Sequence, residues 1–271
     1  MCKEICYKGT LSTIIGDIVG APFEHSPHKS TEFELFGRRS RFTDDTVMTI
    51  AVADWLLHGG ALPEIMRQWG RRYPYSGYGG MFRRWLFDDR DPAAQLPYNS
   101  FGNGSAMRVS PVGYWGRSLD EVLDLARQTA EVSHNHPEGI KGAQAIASAV
   151  YLARVGNSHK EIRMFIEERF GYDLHRTCDG IRPLYRFDSS CQGSCPEAII
   201  AFLDSTDYES ALRLAVSLGG DSDTLACMTG AIAGACYGVP QPIVEKARTL
   251  LPDDILALVD EFDDRLLQDS I

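Results

Sequence analysis

The stretch "SLGGDSDTLACMTGAIAGACYG", Ser217 to Gly238, sets two glycines and two aspartates directly before a run so rich in Ala and Gly that it has little bulk to pack. The pattern predicts a helix over 223–237 with an acidic N-terminus, where a carboxylate ordinarily serves as a cap. Asp221, Asp223 and the Thr224 hydroxyl are more than one cap needs. Gly219 and Gly220 permit a tight turn through which a ligand can approach the backbone. Gly230, Gly234 and Gly238 recur every fourth residue, so a neighbouring helix can come close. The expected neighbour is "TVMTIAVADWLLH", Thr46–His58, which is apolar nearly all round, as a buried central helix would be.

That apolar segment also opens on acids. Thr43, Asp44 and Asp45 immediately precede it. One short polar side chain satisfies a helix N-terminus, and a second carboxylate beside a buried helix needs a partner of its own. Together the two groups offer four carboxylates and two hydroxyls, with no Cys or His interleaved. An all-oxygen set of this kind suits a hard cation such as Mg²⁺ or Mn²⁺ better than Zn²⁺, and four carboxylates suffice for two ions. An EF-hand is excluded, because "DSDTLACMTGAI" lacks the mid-loop Gly and the terminal Glu of that loop.

The remaining pattern is helical. "SLDEVLDLARQTAEV" and "SHKEIRMFIEERFG" each open with Ser and Glu in capping-box spacing, Ser118 with Glu121 and Ser158 with Glu161, and Gly171 suits a C-terminal stop. Further helices are predicted at 139–155, 196–204, 208–218, 241–250 and 252–267. "RRYPYSGYGG" (Arg71–Gly80) and "RFDSSCQGSCP" (Arg186–Pro196) read as loops, and no convincing alternating strand is present. The expectation is one all-α domain spanning 1–271.

Composition bounds the partners. The 271 residues carry a formal net charge of −10, which disfavours general nucleic-acid or anionic-membrane binding. An anionic substrate therefore needs local compensation by metal ions or backbone amides. The cysteines number seven, an odd count without a C-x-x-C pair, so neither a disulfide framework nor a zinc site is expected. Cys227 and Cys236 read as packed thiols. No signal-peptide core or membrane-length run is seen, and a cytoplasmic location is the expectation.

Three weaker motifs complete the set. Glu24 ends "GDIVGAPFEHS", seven residues after Asp17. "SFGNGSAMRVSPVG" places Gly102, Asn103, Gly104 and Ser105 in a donor-rich turn ahead of a helix, which suits a phosphate or ribose. It is not the dinucleotide fingerprint, since the third glycine is missing. In "SHNHPEGIKGAQA", His134 and His136 are two apart and do not share a helix face, so a helix-entry loop with Pro137 is the default.

Taken in order, Gly16-Asp17, Gly20 and Glu24, then Thr43 to Thr46, Gly102 to Arg108, Ser133 to Pro137 and Gly219 to Thr224 resemble the ADP-ribosylglycohydrolase family. The resemblance runs over about residues 9–240. It implies an orthogonally packed all-α fold with a binuclear Mg²⁺ or Mn²⁺ centre. The ligands carried over are Thr43, Asp44, Asp45, Asp221, Asp223 and Thr224. Glu24 matches an acid beside the distal ribose and is the first candidate for general acid/base, with Asp45 second. Gly102, Asn103, Gly104 and Ser105 match the phosphate-binding loop, with Met107 placed beside them as substrate-binding, and His134 matches a residue lining the ADP-ribose pocket. The resemblance implies hydrolysis of the bond between ADP-ribose and an acceptor, with an ADP-ribosylated protein or other conjugate as partner and arginine linkage favoured over serine, polymer, nucleic-acid or small-molecule adducts. The segment 71–88 is the candidate for choosing among them. Two other readings stay open: a two-metal nucleotide phosphohydrolase, against which stands the absence of a His-Asp dipeptide, and a non-catalytic ADP-ribose-binding or immunity protein.

Overall fold

In the computed structural model, residues 7–89 and 95–268 are described. They form fifteen α-helices and one 3₁₀ turn, Ala21–Phe23. In chain order the first helices are α1 (Leu11–Gly20), α2 (Asp44–His58), α3 (Leu62–Arg72), α4 (Gly80–Phe87) and α5 (Gly104–Met107). Next come α6 (Ser110–Trp115), α7 (Leu119–Glu131), α8 (Pro137–Arg154), α9 (His159–Phe170) and α10 (Cys178–Ile181). The last are α11 (Cys191–Leu203), α12 (Tyr208–Ser217), α13 (Ser222–Tyr237), α14 (Gln241–Arg248) and α15 (Asp253–Gln268). Extended pairing among the described residues is confined to isolated bridges, Tyr7 with Val239 and Gly102 with Ser190. The all-α single-domain expectation holds, and among the described residues no helix is long and apolar enough to cross a membrane.

Local chemistry accounts for the helix ends. Ser158 and Glu161 form the reciprocal capping box at α9, and Gly171 closes that helix in the left-handed region with φ 70°. At α7 the Ser118 hydroxyl accepts from Glu121 N, but the Glu121 carboxylate accepts from Arg117 N at 2.7 Å instead of from Ser118. The segment 186–196 departs from its reading as loop: Ser190 caps α11 by accepting from Gly193 N, so the helix starts at Cys191 and carries Pro196 inside it. Cys178, Cys191, Cys195 and Cys227 are buried free thiols and Cys236 is half-buried; Cys2 and Cys6 lie outside the described residues.

The slim helix α13 is central, but its close partner is α1, not the expected Thr46–His58. A Cβ on Gly16 would sit 2.0 Å from the Ala226 carbonyl oxygen, and one on Gly20 would sit 2.2 Å from that of Ser222. From the other side, a Cβ on Gly234 would fall 2.2 Å from Ser12 Cβ, and one on Gly230 would fall 2.8 Å from the Ser12 carbonyl. Glycines on both helices therefore allow backbone-to-backbone contact that any side chain would block. The pairing Ser12 with Gly234, Gly16 with Ala226 and Gly20 with Ser222 is antiparallel. It carries the C-terminal end of α1, and Glu24 just beyond it, to the acidic N-terminus of α13. Helix α2 contacts both members of this pair, and every residue from Asp45 to Ala53 is buried.

Candidate metal centre and substrate cleft

Three helix ends meet at one place because a carboxylate of α1 holds the start of α2. Asp17, fully buried, accepts from Thr43 N at 2.8 Å and Thr46 N at 3.1 Å through Oδ2. The hydroxyls of Thr46 and Thr43 donate to the same carboxylate at 2.5 and 2.7 Å. Asp17 thus satisfies amides that α2 cannot pair internally. Thr43 adds the local cap, its Oγ1 accepting from Asp45 N.

With α2 fixed on α1, its acids face those of α13. Thr224 Oγ1 lies 3.4 Å from Asp45 Oδ2. Carboxylate oxygens of Asp17, Asp45 and Asp223 lie within 4.8 Å of one another, and so do those of Glu24, Asp221 and Asp223. Asp223 belongs to both groups, which makes them one continuous cluster. Asn103 Nδ2 donates to Asp221 Oδ2 at 2.8 Å, tying the Gly102–Ser105 turn to its edge.

The cluster is electrostatically unbalanced. Among the described residues, no Lys or Arg is paired with Asp17, Asp44, Asp45, Asp221 or Asp223. Burial first, then the neighbouring Asp17 and Asp44, raises the Asp45 carboxyl well above the usual carboxylate range. Asp223 is raised by burial, then by Asp45 and Asp221, and Asp44 by burial, then by Asp17. Asp45 Oδ1 is buried with no hydrogen-bond partner among the described residues. Oxygen-only donors, crowded carboxylates and an orphaned ligand atom fit hard divalent cations in this place.

A cleft opens over the cluster. It is lined by Glu24, Asp44, Asp45, Asp221, Asp223 and Thr224, and also by Gly102, Asn103, Gly104, Met107, Arg108 and His134. Of the residues singled out in the sequence, Thr43 and Ser105 do not line it. Thr43 is occupied by Asp17 and the cap, and the Ser105 hydroxyl donates to the Gly139 carbonyl at 2.7 Å. His136 takes no part in the cleft and caps α8, its Nδ1 accepting from Glu138 N.

From the segment 71–88, Gly77, Gly79, Gly80, Met81 and Phe82 reach the cleft wall. Its arginines are largely engaged elsewhere: Arg71 with Asp89 and Arg72 with Asp254. Tyr98, Ser100, Phe187 and Ser189 complete the wall and carried no sequence signal. Asp17 and Arg108 stood within quoted motifs without an assigned role. A lone acid in the wholly buried "LSTIIGDIVG", and an arginine in an apolar run, were the available signals, since such charges are rarely buried without function or partner.

The fold recurs in known proteins. The family model described as ADP-ribosylglycohydrolase matches residues 7–270. The chain belongs to the ADP-ribosylglycohydrolase family. It is 30% identical to the ADP-ribosylhydrolase ARH3 of Bos taurus, over 74% of this chain and 71% of the relative. It is 25% identical to the ADP-ribosylarginine hydrolase Tri1 of Pseudomonas putida, covering 87% of this chain and 72% of the relative. A solved structure described as an ADP-ribosylglycohydrolase-related protein complex superposes with a TM-score of 0.70 at 27% identity, covering 93% of this chain and 95% of that one. The match extends past the interval of about 9–240 that the motifs span, so the C-terminal helices belong to the family unit as well.

Proposed function

We propose that this ADP-ribosylglycohydrolase family member is a divalent-metal-dependent hydrolase that releases ADP-ribose from an acceptor, with protein arginine as the leading acceptor. The observation that carries the reading is the shared cluster of Asp17, Asp45, Asp223, Asp221 and Glu24, whose members Glu24, Asp45, Asp221 and Asp223 line a cleft together with Gly102, Asn103 and Gly104. Membership in the family and the relative named an ADP-ribosylarginine hydrolase support the chemistry and the linkage.

In this reading Asp44, Asp45, Asp221, Asp223 and Thr224 hold two Mg²⁺ or Mn²⁺ ions, with Thr43 at the edge. When bound, the ions supply positive charge for the ribose hydroxyls and the diphosphate and lower the pKa of water. Hydrolysis at the anomeric carbon passes through an oxocarbenium-like state. That requires water placed on one face and a proton managed at the leaving group. Glu24, whose side chain is 22% exposed at the rim, is the candidate to orient and deprotonate that water, and Asp45 the second.

The diphosphate lies over the turn from Gly102, where the amides of Gly104 and Ser105 have no acceptor among the described residues. Met107 and His134 border it. A guanidinium acceptor is cationic and complements the acidic rim of a chain with net charge −10.

The test is release of free ADP-ribose from arginine-, serine- and nucleic-acid-linked conjugates, assayed with Mg²⁺, with Mn²⁺ and with chelator. The reading expects metal-dependent release, fastest from arginine. Faster release from another linkage overturns the acceptor assignment. Phosphate release from nucleotides without ADP-ribose release overturns the reaction.

A further inference from the structure

Arg108 is fully buried, yet no carboxylate pairs with it among the described residues. Its Nη2 donates to the Thr129 carbonyl at 2.6 Å and to Ser133 Oγ at 3.0 Å. Its Nε and Nη1 have no hydrogen-bond partner among the described residues. Arg108 borders the cleft but exposes no surface, so it cannot touch a ligand directly. What it touches is Ser133, and Ser133 Oγ lies 2.8 Å from His134 Nδ1.

The hydrogen-bond roles along this chain are fixed by donor arithmetic. A guanidinium only donates, so Ser133 Oγ accepts from Arg108. Were Ser133 to accept from the histidine as well, its own proton would be left without an acceptor in a fully buried position. Donation from Ser133 to His134 Nδ1 satisfies both groups. A neutral imidazole accepting at Nδ1 carries its proton on Nε2.

That nitrogen faces the ligand turn. A Cβ on Gly104 would lie 2.9 Å from His134 Nε2 and one on Gly102 3.5 Å, and Nε2 has no partner among the described residues. The ring stands between Phe82 and Tyr98, with centroids 6.1 and 5.8 Å away. Arg108 and Tyr98 are the titratable side chains seen to face it. Burial, and then the Arg108 charge, hold its pKa well below the ordinary histidine value.

We propose that Arg108 is a positioning residue that acts through the Ser133 hydroxyl to fix His134 as the Nε2–H tautomer, an uncharged donor aimed at the anionic diphosphate over the Gly102–Gly104 turn. The ligand half of this statement rests on the proposed ADP-ribose chemistry. The tautomer half does not. The buried guanidinium also contributes positive potential beneath the anion without contacting it.

The test uses the full chain labelled with ¹⁵N-histidine, with the His134 signals assigned by their loss in His134→Gln. Long-range ¹H–¹⁵N correlation spectra should show Nδ1 as the lone-pair nitrogen and Nε2 as the protonated one. Ser133→Ala should yield averaged tautomers and weaken calorimetric ADP-ribose binding to the metal-loaded protein by about tenfold. Ser133→Thr, which keeps the hydroxyl, should restore both. Arg108→Met should also average the tautomers, and if it does not fold, the Ser133 pair decides alone. A wild-type His134 protonated on Nδ1, or a Ser133→Ala spectrum like the wild type, overturns the relay. An Nε2–H tautomer in a protein that does not bind ADP-ribose leaves the relay standing and overturns the ligand assignment.

Discussion

Thr224 Oγ1 and Asp45 Oδ2 lie 3.4 Å apart although 179 positions separate them in the chain. Neither helix could make that contact alone. It exists because α13 is held against α1 by glycine contacts and α2 is held against α1 by Asp17. The site is thus a consequence of two packing relationships, and each can be broken separately.

The first is the carboxylate of Asp17. Its two oxygens accept from two amides and two hydroxyls of Thr43 and Thr46. In Asp17→Asn an amide NH₂ faces donors, leaving buried groups unpaired. The expected loss is about 2–4 kcal/mol of unfolding free energy by denaturant titration. Divalent-metal affinity should fall with it, because α2 no longer holds Asp45 in register. Wild-type stability in this variant would contradict the cap role.

The second is the glycine contact. Gly16→Ala places a methyl 2.0 Å from a backbone carbonyl, which must move. A loss of about 3 kcal/mol or more is expected, read as a lowered thermal midpoint. Gly37→Ala, whose Cβ would meet only Glu34 Oε2 at 3.6 Å, is the matched control and should leave stability unchanged.

The acids make stability depend on pH in a direction that metal reverses. Asp45 and Asp223 are raised well above the ordinary carboxylate value by burial, then by neighbouring carboxylates. Without metal the folded chain therefore binds more protons than the unfolded one above that value, and its stability falls as pH rises through this window. Cations compete with those protons, so their stabilising effect grows with pH. The thermal shift on adding Mg²⁺ or Mn²⁺ to chelator-treated protein should increase from about pH 5.5 to about pH 8. A shift independent of pH would mean the ions bind elsewhere.

Glu24 is a partly exposed member of the cluster that lines the cleft, and the catalytic role proposed for it is tested by substitution. Glu24→Gln should lower kcat by roughly 10²–10⁴-fold with KM little changed. Asp45→Asn should lower metal affinity as well as turnover. If both variants bind metal and hydrolyse conjugates at near-wild-type rate, these assignments are wrong.

Much of this was legible in the chain. The acid groups before α2 and α13, the Ser158–Glu161 box and the Gly171 stop all follow from short-range chemistry that the sequence displays. Helix α1 was not, because "LSTIIGDIVG" is buried all round and so lacks the polar face that reveals a helix period. Missing α1 led to the wrong partner for Gly230 and Gly234, since spacing shows that a helix approaches closely but not which one. Pro196 drew the start of α11 too late, because proline commonly opens helices and here lies within one capped by Ser190. The pairing of Ser133 with His134 could not be read from adjacency, which says nothing about the buried arginine above them.

We propose that one carboxylate, Asp223, joins the two acidic groups into a single binuclear centre. Electron paramagnetic resonance during Mn²⁺ titration of the chelator-treated protein tests it most directly. The expected result is saturation at two ions per chain with an exchange-coupled spectrum, and loss of that coupling in Asp223→Asn. A single uncoupled ion per chain, or coupling that survives Asp223→Asn, would contradict it.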